Sequence, residues 1–138
     1  MKHTVMLTIT SLLTILFSMF HLADDIVRGF SPGGLSNITV VLVWVVWVYA
    51  TLVLVERRSG YVVILVLSLL ASGLPVIHMT GKGIAGGRIA GSSGAFFFVW
   101  TMIALGVTAL FSVILSARAL WEHLPRRTDV QHKQGARA

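Results

Sequence analysis

A histidine, two aspartates and an arginine fall within two helical turns in the run His21-Leu22-Ala23-Asp24-Asp25-Ile26-Val27-Arg28. His21 and Asp25 are four residues apart, so on a helix their side chains meet across one turn. Far along the chain lies a second histidine, His78, followed by Met79 and preceded by Pro75. Pro75 has no N–H, so the Ala71 carbonyl one turn back is left as a further oxygen for a ligand. Two imidazoles and a carboxylate, His21, Asp25 and His78 with Asp24 or Met79 alongside, are the donor types that hold zinc, copper, manganese or non-haem iron. The two histidines, one from each of two helices, also suit a haem iron held from opposite faces, although there is no Cys-x-x-Cys-His attachment sequence. A structural use is the alternative: Asp25 pairs with Arg28 or orients His21, and His78 caps its own helix.

The elements that must position these residues are membrane helices. Of 138 residues, 56% are hydrophobic and only 12% charged, and the mean hydropathy is +0.87. A soluble domain carries about a quarter of its residues as charged side chains. A helix of about 20 apolar residues crosses the roughly 30 Å hydrocarbon core of a bilayer. Four segments qualify, at about 4–23, 37–55, 60–77 and 95–117. Their runs of Leu, Val, Ile and Phe do not alternate, which argues against a β-barrel, and they are too apolar all round for an interfacial anchor. The expected fold is therefore all-α: a four-transmembrane-helix bundle over residues 1–124, running up-down-up-down, followed by a basic, disordered cytoplasmic tail at 125–138. Residues 1–23 are taken as the first span and not as a cleaved leader. His21 fits poorly at the small-residue position before a cut, and the apolar run exceeds a usual signal core.

Charge sets the orientation. Four passes place Lys2, Arg57, Arg58, Arg118, Arg126, Arg127, Lys133 and Arg137 on one side, against Arg28, Lys82 and Arg88 on the other. The positive-inside rule then puts both termini in the cytoplasm of a multi-pass protein, expected in a bacterial inner (plasma) membrane. The basic residues gather where apolar segments end and lack interleaved aromatics, so the pI near 10.9 reflects topology and gives no reason to expect a nucleic-acid partner. The absence of cysteine excludes disulfides, thiolate metal sites and a cysteine nucleophile. By this topology His21, Asp24, Asp25, Arg28 and His78 all lie at the outer membrane boundary, where ionisable groups are costly unless paired or wet.

In the first helix Thr4, Thr8, Ser11, Thr14, Ser18, His21 and Asp25 recur at spacings of three and four and share one face. Small hydroxylated residues of this kind make a close-packing seam, or, if wet, one half of an ion or proton channel. Thr101, Thr108, Ser112 and Ser116 form a similar seam in the fourth helix, with Gly106 off that face. Trp44 and Trp47 fall near mid-membrane with Thr51 on the same side, suited to filling an interhelical gap or to stacking on a lipid-like ligand.

Three other motifs carry less. Gly81-Lys82-Gly83-Ile84-Ala85-Gly86 matches a dinucleotide fingerprint by letter but follows a membrane helix, so with Arg88 it is better read as a glycine-rich loop, and Arg28, Lys82 and Arg88 as candidate anion contacts. Ser92 or Ser93 with His78 and Asp25 would compose a hydrolytic triad, without any nucleophile-elbow sequence to support it. Asn37-Ile38-Thr39 is a glycosylation sequon too close to the bilayer to be used, and Ser36 or Asn37 is expected to cap the second helix.

In length and helix number the chain is similar to small multidrug exporters. Their membrane-embedded glutamate has no counterpart, since Thr14 and Ser18 occupy that region and Glu56 and Glu122 lie at the cytoplasmic boundary. Proton-coupled export of that type is therefore disfavoured. The sequence points to a binding or accessory subunit, in a homo-oligomer or larger membrane complex, more than to a stand-alone enzyme. An ion pathway or a small metal- or haem-dependent membrane enzyme would use the same residues.

Overall fold

The computed structural model describes residues 2–80, 89 and 91–123. It is all-helical over those residues: α1 (Lys2–Val27), a 3-10 turn (Gly34–Asn37) leading into α2 (Ile38–Leu52), α3 (Arg58–Thr80) and α4 (Ala95–Glu122). Each of the four is long and apolar enough to cross a membrane, α2 together with its preceding turn as Gly34–Leu52.

The helix ends differ from those expected, for local reasons that matter to the site. α1 continues past Ala23 to Val27, so Asp24 and Asp25 are helical and not part of a connection. Gly29, at φ 74°, stops it. The Gly29 N–H bonds the Ile26 carbonyl at 3.1 Å and the Phe30 N–H bonds the Asp25 carbonyl at 2.8 Å, which is the Schellman pattern with a left-handed residue that glycine adopts at little cost. α2 stops at Leu52, where the Val53 and Arg57 N–H groups turn the chain onto the Tyr49 and Leu54 carbonyls. α4 extends past Ala117 to Glu122, with Arg118 paired to Glu122 one turn on at 3.1 Å. Neither expected cap of α2 acts as one: Ser36 donates to the Gly33 carbonyl and Asn37 to the Pro32 carbonyl.

The burial pattern is that of a chain dissolved in lipid. The interior contains Ser11, Thr14, Thr51, Ser68, Thr101, Ser112 and Ser116 beside Leu7, Phe98 and Leu105, while many other valines, leucines and phenylalanines are exposed. α4 is the central helix and buries Phe98, Thr101, Met102, Leu105, Ala109, Ser112, Ser116 and Ala119, a stripe at spacings of three and four. α2 buries only Trp47, Ala50 and Thr51 and leans against the others.

With no water available, a buried hydroxyl is costly without a protein partner, and of the buried hydroxyls among the described residues Ser68 alone lacks one. In α1, Thr8 donates to the Thr4 carbonyl at 2.9 Å, Thr14 to Thr10 at 2.8 Å and Ser18 to Ile15 at 2.7 Å. In α4, Thr101 donates to Phe97, Thr108 to Ala104, Ser112 to Thr108 and Ser116 to Ser112. Both stripes are thus packing seams. α2 attaches to α1 through three side-chain bonds: Ser11 with Thr51 at 2.7 Å, Trp47 Nε1 donating to Ser11 Oγ at 2.9 Å, and Trp44 Nε1 donating to Ser18 Oγ at 2.9 Å. α3 and α4 approach closely at Pro75, where a Cβ on Gly106 would lie 3.1 Å from the proline Cγ. Gly106 is thus off the hydroxyl seam but on a contact of its own.

Candidate metal centre

The last two turns of α1 sort their charges by the four-residue period. His21 Nε2 lies 3.3 Å from Asp25 Oδ2, and Arg28 Nε lies 2.6 Å from Asp24 Oδ2. Asp24 is therefore committed to Arg28, and Asp25 to the histidine. α3 brings in His78, whose Nε2 lies 3.9 Å from the same Asp25 oxygen. Both imidazoles thus aim one kind of atom at one carboxylate, and a ligand atom from each of the three residues lies within 4.8 Å of the others.

The surroundings hold this arrangement in place. The Asp25 backbone carbonyl accepts the Phe30 and Ser31 N–H groups, at 2.8 and 3.2 Å, so its segment is fixed to the end of α1. The His21 and His78 rings meet edge to face with centroids 4.6 Å apart. Phe98, at the start of α4, packs against both at 5.9 and 5.7 Å. The Arg28 guanidinium lies over the Phe98 ring at 5.6 Å and donates from Nη1 to Ser92 Oγ at 2.7 Å. His21 is 6% exposed, and the side chains of Asp25 and His78 are 13% and 21% exposed, so the centre is nearly enclosed.

At the centre one polar atom is left over, as Ser68 Oγ in α3 and His3 Nε2 in α1 are elsewhere. Asp25 Oδ1 is buried with no hydrogen-bond partner, a condition that costs about 1–3 kcal/mol or more for a neutral group and more for a charged one. A cation beside the carboxylate removes that cost. In a tetrahedral site with bonds of about 2.0–2.2 Å, ligand atoms sit about 3.3 Å apart. The His21–Asp25 separation of 3.3 Å already matches, His78 at 3.9 Å from Asp25 has to close by about half an ångström, and the three ligand atoms, which now lie within 4.8 Å of one another, have to draw together around the ion.

The structure brings together three of the sequence-predicted residues, His21, Asp25 and His78. It keeps Asp24 nearby but diverts it. Arg28 is occupied by Asp24, Ser92 and Phe98, which leaves it poorly placed as an anion contact. The Met79 side chain, Lys82 and Arg88 lie outside the described residues. Trp44 and Trp47 line the interhelical space with their N–H groups engaged. The contact between the two imidazoles leaves no room for a porphyrin plane between them, so opposed haem ligation does not fit this geometry. No hydrolytic triad forms at Ser92 either, because its hydroxyl donates to the Ile89 carbonyl at 3.0 Å and accepts from Arg28.

Sequence reasoning missed Phe98, the wall shared by both histidines. It stands in the run Phe96-Phe97-Phe98, and only the helical phase it shares with Thr101, Met102 and Leu105 distinguishes it. No protein-family model, curated protein or solved structure matches the chain.

Proposed function

We propose that this is a small multi-pass membrane protein that binds a divalent first-row transition metal through His21, Asp25 and His78. The convergence of both Nε2 atoms on Asp25, with all three ligand atoms within 4.8 Å, carries the reading. Two nitrogens and one oxygen suit zinc best, with manganese and iron as competitors in the same geometry. The unpartnered Asp25 Oδ1 supports it, since a structural network would be expected to satisfy its own carboxylate. The rival use of the α1 stripe as a proton path is weakened, because Thr8, Thr14 and Ser18 direct their hydroxyl protons at backbone carbonyls of their own helix.

The bundle runs up-down-up-down with both termini in the cytoplasm, which puts the metal at the outer boundary of a plasma membrane. The eight-to-three split of basic residues supports this orientation. The protein works as a binding or accessory subunit: α2 buries three side chains only and offers the rest of its surface to lipid or to a neighbouring chain.

The test is metal content per chain after purification of the full-length protein in mild detergent. Wild type is expected to hold one metal per chain, or to take one up on titration above pH 7, while His78→Ala and Asp25→Ala hold none and keep their helix content. A wild type that takes up no metal would leave the three residues as a structural network.

A further inference from the structure

A cleft of about 320 Å³ opens onto the three ligands from the space between α2 and α3. Its ionisable side chains, His21, Asp25 and His78, meet at one end; apart from Ser18, the remainder is lined by hydrocarbon and tryptophan, including Val43, Trp47, Leu67 and Leu70. Along α3 the lining runs from His78 to Leu67, eleven residues or about 16 Å of helix. The cleft is therefore elongated, the shape of a slot for an extended tail. Trp44 and Trp47 add no polar handle along the way, since their N–H groups already bond Ser18 and Ser11.

We propose that this cleft holds a single-chain amphiphile, a fatty-acid-like carboxylate, whose head occupies the open coordination position of the metal and whose tail lies between α2 and α3. The inference rests on the metal-site reading above and names the ligand class of that site. Three protein ligands leave a tetrahedral ion one position short. The charge of the head follows from the charges present. A divalent ion with Asp25 as its one anionic ligand is left with a net positive charge, because Asp24, the other nearby carboxylate, is neutralised by Arg28 at 2.6 Å. An anionic oxygen head balances it; without the metal the same head would face the bare Asp25 carboxylate and be repelled. A second apolar groove, of about 420 Å³ and lined by Met19, Val41, Trp44 and Tyr49, has no histidine, carboxylate or basic side chain and so offers no place for a charged head.

The experiment uses full-length protein in a non-ionic detergent, with zinc analysed per chain, and titrates 12-bromododecanoate while following tryptophan quenching. Trp47, at 3% exposure and beside the tail, is the reporter. Saturable quenching with one site per chain is expected from the zinc-loaded protein, abolished when zinc is removed. It should weaken at least about ten-fold in Val43→Phe and in Leu70→Phe, which narrow the cleft from half-exposed or exposed positions, while zinc stays at one per chain. Bound zinc without saturable quenching would overturn the amphiphile and leave the metal site standing. Quenching that survives zinc removal would overturn the coordinated head, and quenching as strong in both cleft variants as in wild type would overturn the cleft. Displacement of the probe by phosphatidylglycerol as effectively as by dodecanoate would assign the cleft to bulk lipid and overturn the proposed occupant. A protein that takes up no zinc fails at the earlier step, and the zinc analysis shows this separately.

Discussion

Replacing Ser11 by alanine removes the group that ties α2 to α1. Ser11 Oγ bonds Thr51 at 2.7 Å and accepts the Trp47 N–H at 2.9 Å, so one substitution deletes two interhelical bonds. Interhelical hydrogen bonds in membrane proteins average about 0.6 kcal/mol, with a maximum near 1.7. Thr51 and Trp47 are 0% and 3% exposed, so neither orphaned group finds water. The summed effect is therefore about 1–3 kcal/mol. The assay is detergent-driven unfolding in mixed micelles, with Ser72→Ala as control, because the Ser72 hydroxyl bonds only the Leu69 carbonyl of its own helix. That control should change stability by less than about 0.5 kcal/mol. A double-mutant cycle of Ser11→Ala with Trp47→Phe should show coupling of about 0.5 kcal/mol or more. If Ser11→Ala is as silent as Ser72→Ala and the cycle is additive, the α1–α2 register is wrong, and with it the cleft that the register forms.

Gly106→Leu drives carbon into the Pro75 ring, already 3.1 Å from the place of a Cβ, and should cost about 1–3 kcal/mol in thermal unfolding; Gly73→Leu, with open space at its Cβ, should cost less. Asp24→Asn and Asp25→Asn change charge equally, yet only the second should abolish metal uptake, because Asp24 pairs with Arg28 and Asp25 faces both histidines. Metal analysis of the two variants side by side decides it, and equal loss would refute the separate roles. Reporters fused after Ala138 and within the 56–59 turn should report cytoplasm, and one inserted at 81–94 the outside. Crosslinking in native membranes should trap a second copy or another protein, and monomer alone would count against the subunit reading.

The four helices were legible because lipid imposes a simple rule: about 20 uncharged residues must close their own backbone bonds. The hydroxyl seams were legible for a related reason, since Thr and Ser at spacings of three and four have only one face on which to hide. Helix ends were harder. Asp24 and Asp25 look like a boundary on charge alone, yet Gly29 followed by the apolar Phe30 is the stronger stop signal and carries α1 four residues past Ala23. At the site, the period of four predicts His21 with Asp25, but it predicts Asp24 with Arg28 equally well, and the second pairing is what removes Asp24 from the ligand set. His78 was placed at the right level by topology, whereas the ring contacts among His21, His78 and Phe98 depend on how α1, α3 and α4 pack, which no local pattern encodes.

Whether His21, Asp25 and His78 together hold one metal ion is decided by X-ray absorption at the zinc edge of the zinc-loaded, full-length protein. A first shell of nitrogen and oxygen at about 2.0–2.2 Å is expected, with the outer-shell scattering of two imidazoles and no sulfur. Zinc surrounded by oxygen alone, or a protein that retains no zinc to measure, would contradict it.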